Sequence, residues 1–292
     1  MQFKLMLLFV LAAISLPAAA QKMDCRDNLA RSEKCWMQGK YLESDRELAE
    51  AMKTCPNNAE IYWRKARNIF CKIDSLPLDK RPRKTEQIDA YDEMSRQSQK
   101  CADLDPENGM CWLYMAASLG MQIKIRNLLR VMRQVDDLER YFKKAESLHP
   151  TYRAENGAAD GMADIYNGLG QFYRQVVDSR ITKTIVGARG DIEKSVEYQR
   201  KAVALEPQHI EYLKELGVSL ICYGYRKKSP AAMEEGKKYL TKLQDLPNVK
   251  YSDAEDKLHA RVLLRHPELA CSYSYYDPDT LKETEFEKSQ EK

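Results

Sequence analysis

Residues 39–56 read GKYLESDRELAEAMKTCP, and a closely similar pattern returns in residues 190–207 as GDIEKSVEYQRKAVALEP. Each stretch has a small residue near its start, another before its last turn, and a proline at its end. Residues 91–106 and 138–150 also end in proline and share parts of the pattern. Because proline disrupts a helix beyond its first turn, each stretch predicts a helix that ends just before the proline.

A second helix is predicted after each of these prolines. Its face carries a large residue, then a small one, then another large one over about two turns. The four sets are Tyr62, Ala66 and Ile69; Trp112, Ala116 and Leu119; Tyr166, Gly170 and Tyr173; and Leu213, Gly217 and Leu220. A small residue between two large ones lets neighbouring helices approach closely. The sequence therefore predicts a series of antiparallel helix pairs.

This pattern resembles the tetratricopeptide repeat (TPR), a helix pair of about 34 residues. The resemblance implies an all-α, right-handed superhelical solenoid over residues 21–266, with about five helix pairs and a C-terminal capping helix from Asp253 to Leu264. Ser252 and Glu255 have the spacing of a capping box for that last helix. Insertions at residues 74–85, 121–133 and 175–189 depart from the repeat.

A narrower similarity is to exported bacterial TPR proteins associated with TRAP transporters. It rests on the extended helix ahead of residues 138–150, on residues 166–173, on the inserted segment after them and on the repeat that opens at Gly190. This resemblance implies a periplasmic protein partner or a small apolar ligand held inside the solenoid.

The two ends of the chain are predicted to lie outside the repeats. Residues 1–20 read as a signal peptide: Lys4 is followed by an apolar run that is short for a membrane span, and then by three alanines. Cleavage is expected before Gln21, with an uncleaved anchor as the alternative. The mature protein is expected in the periplasm, or secreted, with residues 267–292 as a partly disordered tail.

Eight cysteines follow the predicted signal peptide, and an oxidising compartment favours their pairing. In antiparallel repeats the start of one helix lies beside the end of its partner. The expected pairs are Cys25–Cys55, Cys35–Cys71, Cys101–Cys111 and, from the remaining two, Cys222–Cys271. The alternative is that the cysteines are buried free thiols.

No pattern in the sequence indicates catalysis. The 47 basic and 44 acidic residues nearly balance, which disfavours a nucleic-acid partner, and no phosphate-binding loop or nucleophile elbow occurs. His259 and His266 are poor metal ligands without nearby carboxylates, and His149 and His209 are expected as solvated residues at helix ends. We therefore expect no enzyme activity, no cofactor and no metal.

The inner, concave face of the solenoid is the expected working surface. Helical spacing assigns ten residues to it: Arg26, Glu33, Trp36, Trp63, Arg67, Phe70, Asn167, Gln171, Arg174 and Lys214. Tryptophan and arginine favour interfaces, so a scaffold that binds another exported or envelope protein is the first hypothesis; packing of Trp36 and Trp63 between helices is the alternative. The second hypothesis is a carrier that encloses an apolar small molecule between residues 112–121 and 166–173.

Overall fold

The structure, a computed structural model, describes residues 25–76, 80–126, 134–176 and 189–274. The predicted signal peptide, most of the insertion at residues 175–189 and the tail from residue 275 lie outside the described residues. The α-helices of the described part are α1 (Cys25–Met37), α2 (Tyr41–Thr54), α3 (Ala59–Asp74), α4 (Lys84–Leu104), α5 (Gly109–Ile125), α6 (Val135–Ser147), α7 (Gly161–Gln175), α8 (Ile192–Leu205), α9 (Ile210–Lys227), α10 (Pro230–Lys242) and α11 (Asp253–Arg265).

These helices form an all-α solenoid of five antiparallel pairs, from α1–α2 to α9–α10, followed by α11. Each helix packs on its neighbour in sequence, and α3, α5, α7, α9 and α11 also contact one another in that order. The first helices of successive pairs therefore form one layer, as the repeat predicts. The predicted helix pairs and the capping helix are confirmed.

The turn after each second helix follows from its sequence. Cys55 and Asp105 end α2 and α4 just before a proline, and the next helix begins four residues later. The Asn58 side chain accepts a hydrogen bond from the Glu60 amide at 2.9 Å, and the Asn108 side chain accepts one from the Met110 amide at 3.1 Å. These caps satisfy amides that the first turn of a helix leaves unpaired.

Glycine brings α9 and α10 together. A Cβ atom on Gly236 would lie 2.6 Å from the carbonyl oxygen of Gly217, and one on Gly217 would lie 2.9 Å from the carbonyl oxygen of Gly236. No side chain fits at either position without moving a backbone. The prediction that Gly217 permits a close helix crossing is confirmed.

The packed chain continues past residue 266, into the region expected as a tail. Residues Pro267–Cys271 form a 3₁₀ helix against α9, and the Tyr273 side chain is fully buried.

The capping box predicted at Ser252, before α11, does not form, since the Ser252 side chain makes no capping hydrogen bond. Instead, Asp253 Oδ2 accepts hydrogen bonds from the amides of Val249 and Lys250, which fixes the loop that precedes α11.

Three of the four predicted cysteine pairs are at bonding distance. The Cα–Cα separations are 6.2 Å for Cys25–Cys55, 5.4 Å for Cys101–Cys111 and 4.7 Å for Cys222–Cys271. All three lie within the range that a disulfide requires. This pairing is consistent with an oxidising, non-cytoplasmic compartment.

The predicted pair Cys35–Cys71 is wrong, because both residues are free thiols. The helix register explains the error. It is Trp36 that faces α3, where its indole Nε1 donates a hydrogen bond to Cys71 Sγ at 3.4 Å. Consecutive side chains on a helix are about 100° apart, so Cys35 is turned away from Cys71.

Candidate functional site

The predicted concave-face residues are mostly buried rather than exposed in a groove. Arg26 is exposed, and Glu33, Phe70 and Gln171 are half-buried. The buried members are Trp36, Trp63, Arg67, Asn167, Arg174 and Lys214. The prediction that these six residues are exposed on an open concave face is therefore wrong. Both tryptophans are packed inside the protein, as the alternative predicts.

The chain itself covers the first part of the concave face. Residues 148–160, which connect α6 to α7, fold inward against α1 and α3. Ala154, Ala158 and Ala159 of this connector pack with Trp36 and Cys71 in one apolar cluster. The connector reverses direction there, with the Ala154 amide donating to the Ala159 carbonyl at 2.8 Å. A standard repeat has no counterpart to this segment, so helical spacing could not reveal it.

Tyr152 of the connector joins a buried ion network. Its hydroxyl donates to Glu33 Oε1 at 2.7 Å and accepts a hydrogen bond from Arg67. Glu33 also pairs with Arg67 Nη2 at 2.7 Å and with Arg64 Nη1 at 2.8 Å. Burial alone would raise the pKa of Glu33, but the charge and hydrogen bonds of Arg67, followed by the charge of Arg64, lower it overall.

The same arginine lies against aromatic rings. The Arg67 guanidinium is 3.8 Å from the centroid of the Trp36 ring and 5.1 Å from that of Trp63, both within the range of a cation–π contact. Only 1% of the Arg67 surface is exposed. Trp36, Trp63 and Arg67 were expected to contact a partner protein. In the structure they pack α1, α3 and the connector against one another.

Arg174 and Lys214 belong to a second buried network. Arg174 pairs with Glu215 at 2.7 Å and donates to the Tyr273 carbonyl at 2.7 Å. Lys214 pairs with Asp256 at 2.5 Å and with Glu215 at 3.2 Å. These contacts connect α7, α9, α11 and the C-terminal segment, so both cations stabilise the end of the solenoid.

Between these two networks the inner face of the solenoid forms a deep cavity of ≈ 640 Å³ that is partly open to solvent. Its walls come from α3, α5, α6, α7 and the connector, and most of the lining side chains are apolar. The apolar lining residues are Phe70, Leu113, Ala116, Ala117, Met121, Ile123, Val135, Leu138, Phe142, Ala158, Ala159, Phe172 and Val176. The two segments expected to enclose an apolar molecule, residues 112–121 and 166–173, both contribute to these walls.

One end of the cavity is polar. The Lys250 ammonium pairs with Glu211 Oε2 at 2.8 Å, and the Asn167 amide donates to Glu211 Oε1 at 2.8 Å. Asp164, one turn before Asn167 on α7, accepts a hydrogen bond from the Tyr212 hydroxyl at 2.6 Å. Burial raises the pKa of Asp164 to about 7, against the opposing charge of Lys250. This group of four residues, Asp164, Asn167, Glu211 and Lys250, is called the polar end below.

His209 lies beside this group and is buried, which corrects its expected solvation. Its ring stacks on Tyr212 with a centroid separation of 3.8 Å. Burial, followed by the charge of Lys250, lowers the pKa of His209 to about 3. The ring is therefore neutral at physiological pH and adds no charge to the polar end.

Sequence reasoning found part of the cavity and missed the rest. Phe70, Asn167 and Gln171 were among the predicted residues and line the cavity. Lys250 and Tyr251 were missed, since they lie in a loop without helical periodicity. Glu211 was missed although it is close to Leu213 in the chain, because a carboxylate in a first helical turn is common for electrostatic reasons alone.

The described residues contain no group of three or more histidine, cysteine, aspartate or glutamate side chains arranged to hold a metal ion. Across the same ranges, no helix combines the length and the apolar character needed to cross a membrane.

Comparison with known proteins relates the chain to others by fold. No protein-family model matches the sequence, and no curated protein matches it. TTC0263, a thermophilic TPR protein of Thermus thermophilus, is similar in structure with a TM-score of 0.51 at 14% identity; the match covers 84% of this chain and 99% of that one. MamA of Desulfovibrio magneticus RS-1 matches with a TM-score of 0.42 at 19% identity, over 78% of this chain and 97% of that one. On the helix pairs described above and the similarity to TTC0263, the chain has the fold of the tetratricopeptide-repeat proteins.

Proposed function

We propose that the protein is an exported, non-enzymatic binding protein that encloses a small, largely apolar ligand inside its TPR solenoid. The observation that carries this proposal is the cavity of ≈ 640 Å³ with apolar walls and one polar end. Small-molecule sites in proteins are cavities of about 300–1,000 Å³ with mainly apolar walls and a few polar groups that orient the ligand. Transfer to or from a membrane transporter would suit such a carrier.

Export is proposed from two independent observations. The first 20 residues have the composition of a signal peptide, and three cysteine pairs are at bonding distance. Disulfides persist in the periplasm and outside the cell rather than in the cytosol. Mass spectrometry of the mature protein tests this directly, since a chain that begins at Gln21 is expected and a chain that retains residues 1–20 would contradict it.

A protein partner on the concave face is the second candidate. Solenoid repeats form extended concave surfaces, and Arg26, Phe70 and Gln171 of the predicted set retain exposed area. Burial of six of the ten predicted residues, and the connector that covers Trp36, favour a ligand inside the cavity over an extended peptide.

Native mass spectrometry of the protein, purified without detergent from its own compartment, tests the two candidates. The carrier predicts an added mass of a few hundred daltons that organic solvent removes. A copurifying polypeptide, with no such small mass, would support the scaffold instead.

A second test uses the neutral fluorescent probe N-phenyl-1-naphthylamine on ligand-free protein. We expect saturable binding of one probe per chain. Ala117→Leu places three further carbon atoms in the cavity and should weaken binding at least about tenfold. Ala231→Leu adds the same atoms at an exposed position of α10 and should leave binding unchanged. Equal binding by both variants would show that the probe does not bind in the cavity.

A further inference from the structure

The charges at the polar end of the cavity do not balance. Glu211 and Lys250 form an ion pair, and both Glu211 oxygens already accept a hydrogen bond. Asp164 receives only the neutral hydroxyl of Tyr212, and among the described residues no cation pairs with it. With Lys250 paired to Glu211, Asp164 is the carboxylate of the polar end that has no ion pair of its own.

The other charged groups near Asp164 do not provide the missing cation. Asp160, at the N-terminus of α7, and Glu211 both repel a second negative charge, while Lys250 attracts it but is bound to Glu211. His209 is neutral, and the Tyr212 hydroxyl is uncharged at physiological pH. Lys124 also lines the cavity, but the main attractive charges on it are those of Glu215 and Asp74.

A second hydrogen-bond acceptor lies one helical turn away. Asn167 lines the same cavity and is 4% exposed, and its Oδ1 atom has no hydrogen-bond partner. The orientation of the amide is fixed, because the Glu211 carboxylate can only accept and so must face Nδ2. Residues three apart lie on one face of a helix, so Asp164 and Asn167 belong to the same side of α7.

Both unused groups are therefore acceptors, and one of them carries a charge. The chemical group that complements them has several donors, no acceptor and a positive charge; a protonated amine is the most compact group of this kind, and a guanidinium shares these properties. A carboxylate would meet two repelling carboxylates, and an alcohol would leave the charge uncompensated.

We propose that the ligand is an amphiphile with a protonated amine at one end, and that Asp164 binds this amine at the polar end of the cavity. The inference rests on the proposed ligand-binding function and names the chemical class of the ligand. The apolar part of the molecule lies between α5, α6 and α7, and the amine lies against α7 and α9.

The titration of Asp164 agrees with this arrangement. Burial raises the pKa of Asp164 to about 7, since no cation pairs with the charged form. A bound ammonium favours the charged form. By linkage, amine binding must weaken as the pH falls below 7, because a proton then competes for the carboxylate.

Three probes of equal chain length test the proposal: octylamine, 1-octanol and octanoate, each displacing N-phenyl-1-naphthylamine from ligand-free protein at pH 8. We expect octylamine to bind at least about tenfold more tightly than 1-octanol, and octanoate to bind more weakly than either. Asp164→Asn should abolish the preference for the amine and leave 1-octanol unchanged. The matched control is Asp160→Asn, which removes a charge one turn away and keeps a side chain that caps α7 equally well.

A second measurement uses the unmodified protein, so that it does not depend on the folding of a variant. Between pH 8 and pH 6 the dissociation constant for octylamine should rise about tenfold, because Asp164 becomes protonated over this range. The amine itself stays charged throughout, since its pKa is like that of lysine. The dissociation constant for 1-octanol should not change. Binding of 1-octanol without any preference for the amine would overturn this inference and leave the ligand-binding function standing. Tighter binding of octanoate would also overturn it, and failure of all three probes would overturn both proposals.

Discussion

The phenolic hydroxyl of Tyr251 donates a hydrogen bond to Asp74 Oδ2 at 2.9 Å, across a separation of 177 residues. The Tyr251 ring also meets the ring of Tyr41 edge to face, with centroids 6.2 Å apart. The loop before the capping helix thus contacts the first and second repeats. The two ends of the solenoid therefore meet, and Tyr251 forms part of the wall of the partly open pocket between them.

Tyr251→Phe removes the hydroxyl that bonds to Asp74 and keeps the ring. We expect the free energy of unfolding to fall by about 1 kcal/mol, at the low end for a bond to a charged group because Tyr251 is 38% exposed. Urea unfolding followed by circular dichroism measures the change. Tyr225→Phe, at a ring that is 43% exposed on α9, is the matched control. Equal losses in the two variants would show that the bond contributes nothing specific.

Glu33→Gln leaves two arginines beside a neutral side chain in the first buried network. Loss of one partner from a buried ion pair costs about 3–5 kcal/mol, and we expect a value near the lower limit at pH 7. Glu47→Gln breaks the more exposed pair with Arg31 and should cost less than about 1 kcal/mol. Chemical denaturation of both variants provides the comparison, and similar values for the two would contradict the role assigned to Glu33.

The stabilisation by Glu33 should also depend on pH. Its pKa is lower in the folded protein than in the unfolded chain, so the unfolded chain binds the proton more strongly. The contribution is therefore complete at neutral pH and is lost as the pH falls through the folded pKa. The difference in unfolding free energy between the protein and Glu33→Gln should shrink from pH 7 to pH 3. A constant difference would mean that the charge of Glu33 is not what stabilises the network.

Asp164 should have the opposite effect on stability in the ligand-free protein. Its pKa is raised on folding to about 7, so stability due to the protonated form is present below about pH 4 and is lost as the pH rises towards 7. Asp164→Asn should accordingly be more stable than the unmodified protein at pH 8, and this advantage should shrink by pH 5. Thermal unfolding at the two pH values measures this. A variant that is less stable at pH 8 would show that the carboxylate is already compensated by the protein.

The two free cysteines should differ in reactivity. Cys71 is buried, and burial raises the pKa of its thiol to about 11, so little of the reactive thiolate is present at pH 8. Cys35 is half-buried and is expected to react first with iodoacetamide in the folded protein. Peptide mapping without reduction should find these two residues alkylated after unfolding and the other six in disulfides. A Cys35–Cys71 bridge would show that the register of α1 is wrong.

The sequence predicts the structure correctly where helix ends and helix crossings depend on residues close together in the chain. Proline after four of the second helices and glycine at position 217 have physical effects within a few residues, and each predicts the observed structure. Cys25–Cys55 and Cys101–Cys111 followed from the same geometry. Two of the helices that line the cavity, α5 and α7, were also identified, through residues 112–121 and 166–173.

Contacts between distant irregular segments were beyond such reasoning. Tyr152 lies in a connector without periodicity, yet its hydroxyl and ring contribute to the buried network around Arg67. Lys250 and Tyr251 lie in a loop and were missed for the same reason. An arginine next to tryptophan has the same sequence pattern whether a partner protein or the chain's own connector covers it, so the predicted groove could not be distinguished from a packed interior.

The three disulfides span 30, 10 and 49 residues, and each joins elements that are neighbours in the solenoid. None of them links the first repeat to the last, where Tyr251 meets Asp74 through side-chain contacts alone. The covalent links therefore lie between neighbouring segments, whereas the two ends of the solenoid are joined by a hydrogen bond and a ring contact. Because no disulfide holds the two ends together, separating them to admit or release a hydrophobic ligand would require no change in redox state.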